Sequence, residues 1–275
     1  MPTTLLSQAP VHTDIRPHRR SLAELLAPLE QLAAHSANLV VNQDARFAAG
    51  GETYTLPRYL FVGPKGGDTP IRLGIFAGVH GDEPEGCHAL VQFIKLLEAK
   101  PELAAGYYLS IYPVCNPTGY EDATRHSRTG RDLNREFWRD SAEPEVKLLE
   151  AELASRSFQG LIALHTDNTS DGFYGFVRGA TLTRNLIEPA LQAAEKFLPR
   201  DRRSVIDGFH ARNGVIRDCY DGVLSAPPRS RPRPFEIILE TPQPPPEYLK
   251  VCAFVLALQT ILVEYRKFIA YAQNI

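Results

Sequence analysis

Apolar and polar positions along this chain follow two alternating periods, and the alternation predicts a layered fold. Segments rich in β-branched and aromatic residues, typical of strands, are separated by segments in which apolar residues recur every three or four positions, typical of helices. The predicted strands cover residues 53–62, 71–79, 107–114, 160–165 and 235–240, and the predicted helices cover residues 22–32, 145–153, 182–197 and 248–271. We therefore predict a single-domain α/β fold with a mixed, mostly parallel, twisted sheet and helices on both of its faces.

The N-terminal part of the chain is predicted to carry one amphipathic helix. Ser21, with Glu24 three positions later, forms a capping box in front of leucines at helical spacing. Gly50 and Gly51 then mark a turn before the first predicted strand. We expect residues 1–50 to form an extension that packs on a main domain of residues 51–275.

Composition and charge mainly exclude classes of protein. The 275 residues are 44% hydrophobic and 23% charged, as in ordinary globular domains, which argues against disorder. The formal net charge of −2 disfavours a nucleic-acid binder. The four cysteines show no C-x-x-C spacing, which favours free thiols.

The N-terminus lacks a secretory pattern, and the most apolar segment, 251–263, is shorter than the ~20 residues of a membrane span. We expect a cytoplasmic protein with neither nucleic-acid nor membrane partners.

The first segment with recognisable chemistry is GVHGDEPEG at residues 78–86, which leaves a predicted strand and enters a helical pattern. The H-x-x-E spacing allows His80 and Glu83 to reach one metal ion from a single turn. In a chain with eight histidines, such a pair can also occur by chance in a surface turn. The glycines around it and its place at the end of a strand favour a metal site.

A second group of motifs follows the strand that ends at Val114. It consists of NPTG at residues 116–119, Arg125, and GRDLNR at residues 130–135. Together with G-x-H-G-D-E, these motifs resemble the zinc carboxypeptidase family. Their spacing is most similar to that of the small bacterial murein-peptide amidases and related carboxypeptidases, and more distantly to succinylglutamate desuccinylase and aspartoacylase. The resemblance implies that residues 51–275 form a zinc carboxypeptidase-like catalytic domain.

The resemblance implies one Zn²⁺ per chain. The third ligand is expected to be a histidine at a further strand end, and His165, in LIALHTD, meets that expectation. Two histidines and one glutamate would leave a fourth coordination position for water, as in hydrolytic rather than structural zinc sites. The predicted metal ligands are therefore His80, Glu83 and His165.

The resemblance also implies roles for the polar residues around the metal. The expected catalytic residues are Glu240, as general base and then acid, and Arg125, which polarises the scissile carbonyl. Asn134 and Arg135 are expected to hold a substrate carboxylate, and Asp132 to orient His80 through the second ring nitrogen. Glu236 would lie on the same face of its strand as Glu240, so the residues alone leave it open, although the strand end favours Glu240.

Two further assignments have rivals in the sequence. Tyr220 is the candidate for the family's substrate-binding tyrosine, and Tyr174 competes with it from a loop after the His165 strand. Asp167 and Asp171 could bind a second metal or a cationic substrate group, but we favour their interpretation as loop carboxylates.

The sequence therefore predicts a zinc-dependent metallocarboxypeptidase or amidase that hydrolyses a peptide or isopeptide bond next to a free carboxylate, with murein-derived peptides as one candidate substrate. The alternative is an N-acyl amino acid deacylase, a class that places its arginine closer to D-L-N-R, where this chain has Ser127 and Arg128. A zinc-binding module without catalysis is a third possibility, which the presence of Glu240 and Arg125 disfavours. Either enzyme would act on a small peptide or acyl-amino-acid substrate, and the oligomeric state is not predicted.

Overall fold

A large sheet with helices on both faces forms the framework of the protein. The computed structural model describes residues 19–65, 69–178 and 181–272. The helices in these ranges are α1 (Leu22–Ala33), α2 (Pro84–Ala99), α3 (Pro117–Asp122), α4 (Pro144–Ser155), α5 (Thr181–Ala194) and α6 (Glu247–Ala272). The strands are β1 (Leu39–Asn42), β2 (Arg46–Ala49), β3 (Glu52–Thr55), β4 (Arg58–Val62), β5 (Ile71–Ala77), β6 (Tyr107–Tyr112), β7 (Gly160–Asp167), β8 (Tyr174–Arg178), β9 (Val205–Ile206), β10 (Phe209–Arg212), β11 (Val215–Ile216) and β12 (Phe235–Pro242).

Ten of these strands form one mixed sheet in the order β1-β4-β6-β5-β7-β12-β8-β11-β10-β9. The four central strands, β6, β5, β7 and β12, are mutually parallel. Antiparallel pairs extend the sheet on both sides, with β4 and β1 beyond β6, and β8 beyond β12. The predicted α/β fold with a mixed sheet is confirmed, with most of its parallel pairing at the centre.

The alternation of side chains along the strands divides the interior between the two faces of the sheet. On one face, Ile75 of β5 belongs to a core that includes buried residues of α1, α2, α5 and α6. On the other face, the neighbouring Phe76 stacks on Tyr112 and packs in a second core with buried residues of α4 and of the β2–β3 hairpin. The buried strands therefore carry apolar residues at nearly every position, which explains their continuous apolar runs.

The structure divides the strand predicted at residues 53–62 into two. Pro57 lies between β3 and β4, and because proline has no backbone N–H it interrupts the ladder at that position. β3 pairs with β2 in a separate two-stranded sheet, whereas β4 joins the large sheet. The short strands β1, β2 and β8 to β11 were not predicted, because two to five residues give too short a pattern to recognise.

Helix α1 contributes directly to the main core. Its N-cap is Ser21, whose hydroxyl accepts the backbone N–H of Glu24 at 3.1 Å, as the capping pattern predicts. Leu25, Leu26 and Leu29 are buried with residues of α2 and the sheet. β1, which follows α1, pairs with β4 at the edge of the sheet. The division into an extension of residues 1–50 and a catalytic domain of residues 51–275 stays a prediction.

The last helix, α6, is twice as long as the apolar segment 251–263. By length and composition alone, its stretch Glu247–Tyr271 would be sufficient to cross a membrane. In the structure, however, one face of α6 packs against the core through Phe254, Leu258 and Leu262, and 44% of the apolar window is buried. The helix predicted over residues 248–271 is thus confirmed, and its apolar face belongs to the main core.

Replacing Leu29 by alanine should destabilise the whole protein if α1 is part of the main core. Leu29 is fully buried, and removing a buried leucine side chain costs about 2–5 kcal/mol through lost contacts and the cavity left behind. The free energy of unfolding from urea titration measures the effect. Gln31→Ala, at an exposed position of the same helix, is the control and should change it by less than about 0.5 kcal/mol. Equal stability of both variants would contradict the packing of α1.

Candidate functional site

A cavity of about 410 Å³ opens at the carboxyl ends of β5, β7 and β12. This is where parallel strands of α/β proteins commonly place ligand-binding residues, because loops from several strands meet there. The structure brings eight of the nine predicted site residues into its lining: His80, Glu83, Arg125, Asn134, Arg135, His165, Tyr220 and Glu240. The ninth, Asp132, lies behind His80 and contacts it.

The three predicted metal ligands converge at the bottom of this cavity. Nδ1 of His80 lies 2.6 Å from Oε1 of Glu83, and Nδ1 of His165 lies 3.0 Å from Oε2 of the same carboxylate. The two Nδ1 atoms are 3.2 Å apart, and all three side chains are buried. Among the described residues, this is the one group of three His, Cys, Asp or Glu residues whose ligand atoms lie within 4.8 Å of one another.

The glycines of the first two motifs are explained by a direct contact between their backbones. A Cβ atom added to Gly81 would lie 1.9 Å from the carbonyl carbon of Gly119, so only glycine allows this approach. Asn116, three residues before Gly119, is the N-cap of α3. Its side-chain oxygen accepts the Gly119 N–H at 2.9 Å. The contact fixes the loop that carries His80 and Glu83 against the segment that leads to Arg125.

The donor atoms and the electrostatic surroundings of this cluster fit a metal cation. Asp132 Oδ1 lies 3.2 Å from Nε2 of His80 and can accept its N–H, which leaves the lone pair of Nδ1 directed at Glu83. Burial lowers the pKa of His80, but Glu83 and Asp132 raise it more, to about 9. The surroundings of His80 therefore favour a positive charge, and a metal ion held by the two histidines and Glu83 would supply one.

Arg125 reaches the cavity, whereas its neighbours in the same loop do not. Its Nη2 lies 3.1 Å from Asp132 Oδ2, and its Nη1 lies 3.6 Å from Glu83 Oε1. Arg128 points away and pairs with Asp122, and Ser127 donates its hydroxyl hydrogen to a glutamate outside the cavity. The arginine beside the candidate metal site is therefore Arg125.

Asn134 and Arg135 form part of the wall with Tyr220. The side-chain oxygen of Asn134 accepts the backbone N–H of Leu224 at 2.9 Å, which orients its amide. The guanidinium of Arg135 lies over the ring of Tyr220 at 4.2 Å, and the Tyr220 hydroxyl donates to the backbone oxygen of Asp207 at 3.0 Å. Tyr220 therefore faces the cavity and supports the Arg135 side chain.

The structure separates the two glutamates of β12. Glu240 pairs with His165 in the β7–β12 ladder and lines the cavity. Its pKa is raised well above the usual range, first by burial and then by the nearby charges of Glu83 and two aspartates. Glu236, one of the buried residues, accepts the Ala226 N–H at 2.7 Å and pairs with arginines outside the cavity. Of the two, only Glu240 lies in a position to act on a ligand.

Tyr174, the rival of Tyr220, also lines the cavity, with its hydroxyl 3.0 Å from Oδ2 of Asp167. Asp171 lies outside the lining, with a side chain that is 77% exposed and is paired with Arg203 at 3.4 Å. Asp167 belongs to the lining, and its Oδ1 accepts the backbone N–H of Thr169.

Sequence reasoning missed Asp207, which lines the cavity from the turn between β9 and β10. Asp207 and Gly208 have φ values of 49° and 78°, as a type I′ hairpin turn requires. The Asp-Gly pair between apolar residues was a hairpin signal that could have identified the turn. It could not have shown that the turn faces the metal ligands.

Comparison with known proteins agrees with this geometry. Residues 70–200 match the family model of the succinylglutamate desuccinylase/aspartoacylase catalytic domain. This range contains the three candidate metal ligands and D-L-N-R, and it ends before β12, which carries Glu240. No curated protein sequence matches the chain significantly.

Solved structures match the chain over most of its length. A "putative metallopeptidase" from Shewanella denitrificans OS217 is 23% identical, with a TM-score of 0.73, and the match covers 87% of this chain and 88% of that one. Its counterpart from Shewanella amazonensis SB2B is 25% identical, with a TM-score of 0.69 and coverage of 87% and 90%. A metallo-carboxypeptidase from Burkholderia cenocepacia is 18% identical, with a TM-score of 0.67 and coverage of 91% and 70%.

These matches confirm the resemblance inferred from the motifs. The chain has the fold of the metallo-carboxypeptidases. Over residues 70–200, it also matches the catalytic domain of the desuccinylases and aspartoacylases. Fold and family model together support a hydrolase of this superfamily.

Replacing Asp132 by asparagine should weaken metal binding without abolishing it. Asp132 contacts the ring nitrogen of His80 that faces away from the candidate site, and loss of such a partner typically lowers metal affinity about 10–100-fold. We expect one metal ion per chain in the unaltered protein, measured by titration against a chelator. Asp171→Asn, outside the cavity, should bind like the unaltered protein. Equal affinity of Asp132→Asn would show that Asp132 does not orient His80.

Proposed function

We propose that this protein is a zinc-dependent metallocarboxypeptidase or amidase that hydrolyses a peptide or isopeptide bond next to a free carboxylate. The observation that carries the proposal is the shared cavity. Glu240, Arg125 and Arg135 face the same space as the two histidines and the glutamate that could hold a metal. A general base, a carbonyl-polarising group and a carboxylate-binding group are the parts that such a hydrolysis needs.

His80, Glu83 and His165 would hold the zinc ion. Imidazole nitrogens and one carboxylate are donors that zinc prefers, and three protein ligands leave one coordination position open. When bound there, zinc supplies Lewis acidity, which makes water a nucleophile near neutral pH and polarises a carbonyl group.

Glu240 is suited to carry the proton. As a carboxylate, it can take a proton from the attacking water and then deliver it to the leaving nitrogen. Its pKa is raised, first by burial and then by the nearby charges of Glu83, Asp167 and Asp207, which makes the carboxylate a stronger base toward the attacking water than an exposed glutamate. Arg125, with a partly exposed guanidinium directed into the cavity, can donate hydrogen bonds to the oxygen on which negative charge develops.

Arg135 and Asn134 are suited to bind the carboxylate next to the scissile bond. The guanidinium of Arg135 presents paired donors in a plane, and stacking on Tyr220 restricts its orientation. Asn134 uses its oxygen for the Leu224 N–H, so its amide nitrogen remains to donate to a ligand. Binding of a terminal carboxylate would direct the enzyme to the end of a chain.

The second candidate is an N-acyl amino acid deacylase, which the matching family model favours. Such an enzyme could use the same metal ligands and the same Glu240. The position of the arginine supports the peptidase, because Arg125 reaches the cavity while Ser127 and Arg128, where the deacylase pattern expects an arginine, do not.

We further propose murein-derived peptides as the substrate class. A diamino acid presents a carboxylate and a separate cationic amine, and the cavity has matching groups. Arg135 lines the same cavity as Asp207 and Asp167, and among the described residues neither aspartate has an ion pair with an arginine or lysine within 4 Å. Burial raises the pKa of Asp207, which a substrate amine would reverse.

Replacing Glu240 by glutamine should lower turnover by several orders of magnitude while metal binding is retained, because glutamine cannot accept the proton from water. The test is mass-spectrometric product analysis of zinc-loaded protein with peptides, γ-glutamyl-diaminopimelate peptides and N-acyl amino acids, using Glu240→Gln as the blank. Release of a C-terminal amino acid or of diaminopimelate is the expected result.

Other results of this assay would replace the proposal. Release of acetate or succinate would identify a deacylase. Zinc-loaded protein that cleaves none of the three substrate classes would favour a binding module. Near-normal turnover by Glu240→Gln would remove Glu240 from the mechanism.

Replacing Asp207 by asparagine should reduce the preference for a cationic substrate about tenfold. Asparagine fits the same type I′ turn, so the change removes the charge and keeps the hairpin. A tenfold change corresponds to the loss of about 1.4 kcal/mol, which is typical of one charged hydrogen bond. The measurement compares kcat/KM for γ-glutamyl-diaminopimelate and for the same peptide with 2-aminopimelate, which lacks the second amine. An unchanged ratio would exclude Asp207 from recognition.

A further inference from the structure

A buried lysine lies beneath the cavity, in the first turns of a largely apolar helix. Lys250 of α6 is 3% exposed, and its ammonium group has two partners. It donates to Oε1 of Glu85 at 2.6 Å and to the backbone oxygen of Gln243 at 2.8 Å. Both partners line the cavity, although Lys250 itself does not.

The first partner connects Lys250 to a candidate metal ligand. The other oxygen of Glu85, Oε2, accepts the hydroxyl hydrogen of Thr166 at 3.1 Å. The backbone N–H of Thr166 in turn donates to Oε2 of Glu83 at 3.0 Å. Lys250, Glu85 and Thr166 therefore form a continuous hydrogen-bonded path from α6 to the carboxylate that would bind the metal.

The second partner connects Lys250 to the end of the strand that carries Glu240. Gln243 follows β12 directly, and its backbone N–H donates to the carbonyl oxygen of Asp167 at 3.0 Å. The hydroxyl of Thr241 also lies 3.0 Å from that of Thr166. The Lys250 ammonium group thus contacts the start of α2 and the segment after β12 directly, and it reaches the end of β7 through Glu85 and Thr166. These three segments carry Glu83, Glu240 and His165.

Stability alone is a weak explanation for a charge in this place. A buried ion pair gains little over apolar side chains of similar volume, because both charges lose their hydration. The position of Lys250 on the path to Glu83 is a better explanation. A carboxylate that accepts a backbone N–H is held in one orientation, and a fixed ligand binds a metal more tightly than a mobile one.

We propose that Lys250 is a positioning residue of the metal centre, which fixes the Oε2 atom of Glu83 through Glu85 and Thr166. The proposal rests on the metal site of the proposed function. It assigns Lys250, Glu85 and Thr166 to one unit, so that removing any member loosens Glu83 in a similar way. It also predicts that a second substitution within the unit adds little to the first.

Metal affinity tests this unit without reference to turnover. Apo protein is titrated with Zn²⁺ against a competing chelator, and its thermal unfolding is recorded separately. We expect Lys250→Met to weaken Zn²⁺ binding about 10–100-fold, as is typical for groups that hold a metal ligand. Thr166→Val, which removes the hydroxyl and introduces no unpaired buried charge, should weaken binding in the same direction. The double variant Glu85→Gln/Lys250→Met should bind within about threefold of Lys250→Met.

The matched control is Arg200→Met. Arg200 is another buried cation, paired with Glu188 at 2.8 Å, and it lies outside the lining of the cavity. Its loss should lower the unfolding temperature and leave the Zn²⁺ affinity unchanged. If Lys250→Met fails to fold, the same titration is made with Thr166→Val and with Lys250→Arg, which keeps the charge. These two variants then decide whether Lys250 positions Glu83.

The outcomes separate this inference from the proposed function. Unaltered protein that binds no Zn²⁺ would overturn the metal centre and the positioning unit together. Normal binding by the unaltered protein, with Zn²⁺ affinity unchanged in Lys250→Met and Thr166→Val, would overturn only the role of Lys250. In that case, Lys250 would be a structural ion pair like Arg200.

Discussion

The parallel pairing of β7 with β5 on one side and β12 on the other brings the three candidate metal ligands and Glu240 together. In the ladder, Glu240 of β12 lies beside His165 of β7, and Ala77 at the end of β5 lies beside Leu164. Because the strands run in the same direction, their carboxyl ends meet at one edge, and the loop after β5 brings His80 and Glu83 to the same place. A shift of one residue in either register would turn the side chain of His165 or Glu240 to the opposite face of the sheet.

The cavity formed at this edge is strongly acidic, and that single property explains several others. Six carboxyl groups line it, against two guanidinium groups, those of Arg125 and Arg135; the acidic residues are Asp82, Glu83, Glu85, Asp167, Asp207 and Glu240. Burial and this negative charge raise the pKa of Glu240, while Glu83 and Asp132 raise that of His80 to about 9 despite burial. A divalent cation held by His80, Glu83 and His165 would offset part of this negative charge.

Outside the cavity, further contacts fix the loops that connect the strands and helices of the site. The loop that carries Arg125 is fixed by Arg128, which pairs with Asp122 and with Glu52 of the β2–β3 hairpin. The close contact between Gly81 and Gly119 holds the loop after β5 against α3. Below the cavity, Lys250 connects Glu85 at the start of α2 with Gln243 after β12. Some of the side chains that face the cavity are thus oriented by partners farther from its centre, as His80 is by Asp132 and Asn134 by the Leu224 N–H.

The sequence by itself determined the elements and most of the site. Long periodic segments predicted the helices and the central strands, and the H-x-x-E spacing indicated a metal-binding turn, since neighbours in a turn stay close in any fold. The roles of Glu240, Arg125 and the D-L-N-R residues came from the resemblance of the motifs to the zinc carboxypeptidases. Only the tertiary structure showed that Glu236 and Arg128 have their partners outside the cavity, and only it brought Asp207 and Lys250 to the site. Asp207 and Lys250 are distant in the chain from the candidate metal ligands, and their proximity depends on strand order, register and helix packing, which no local pattern encodes.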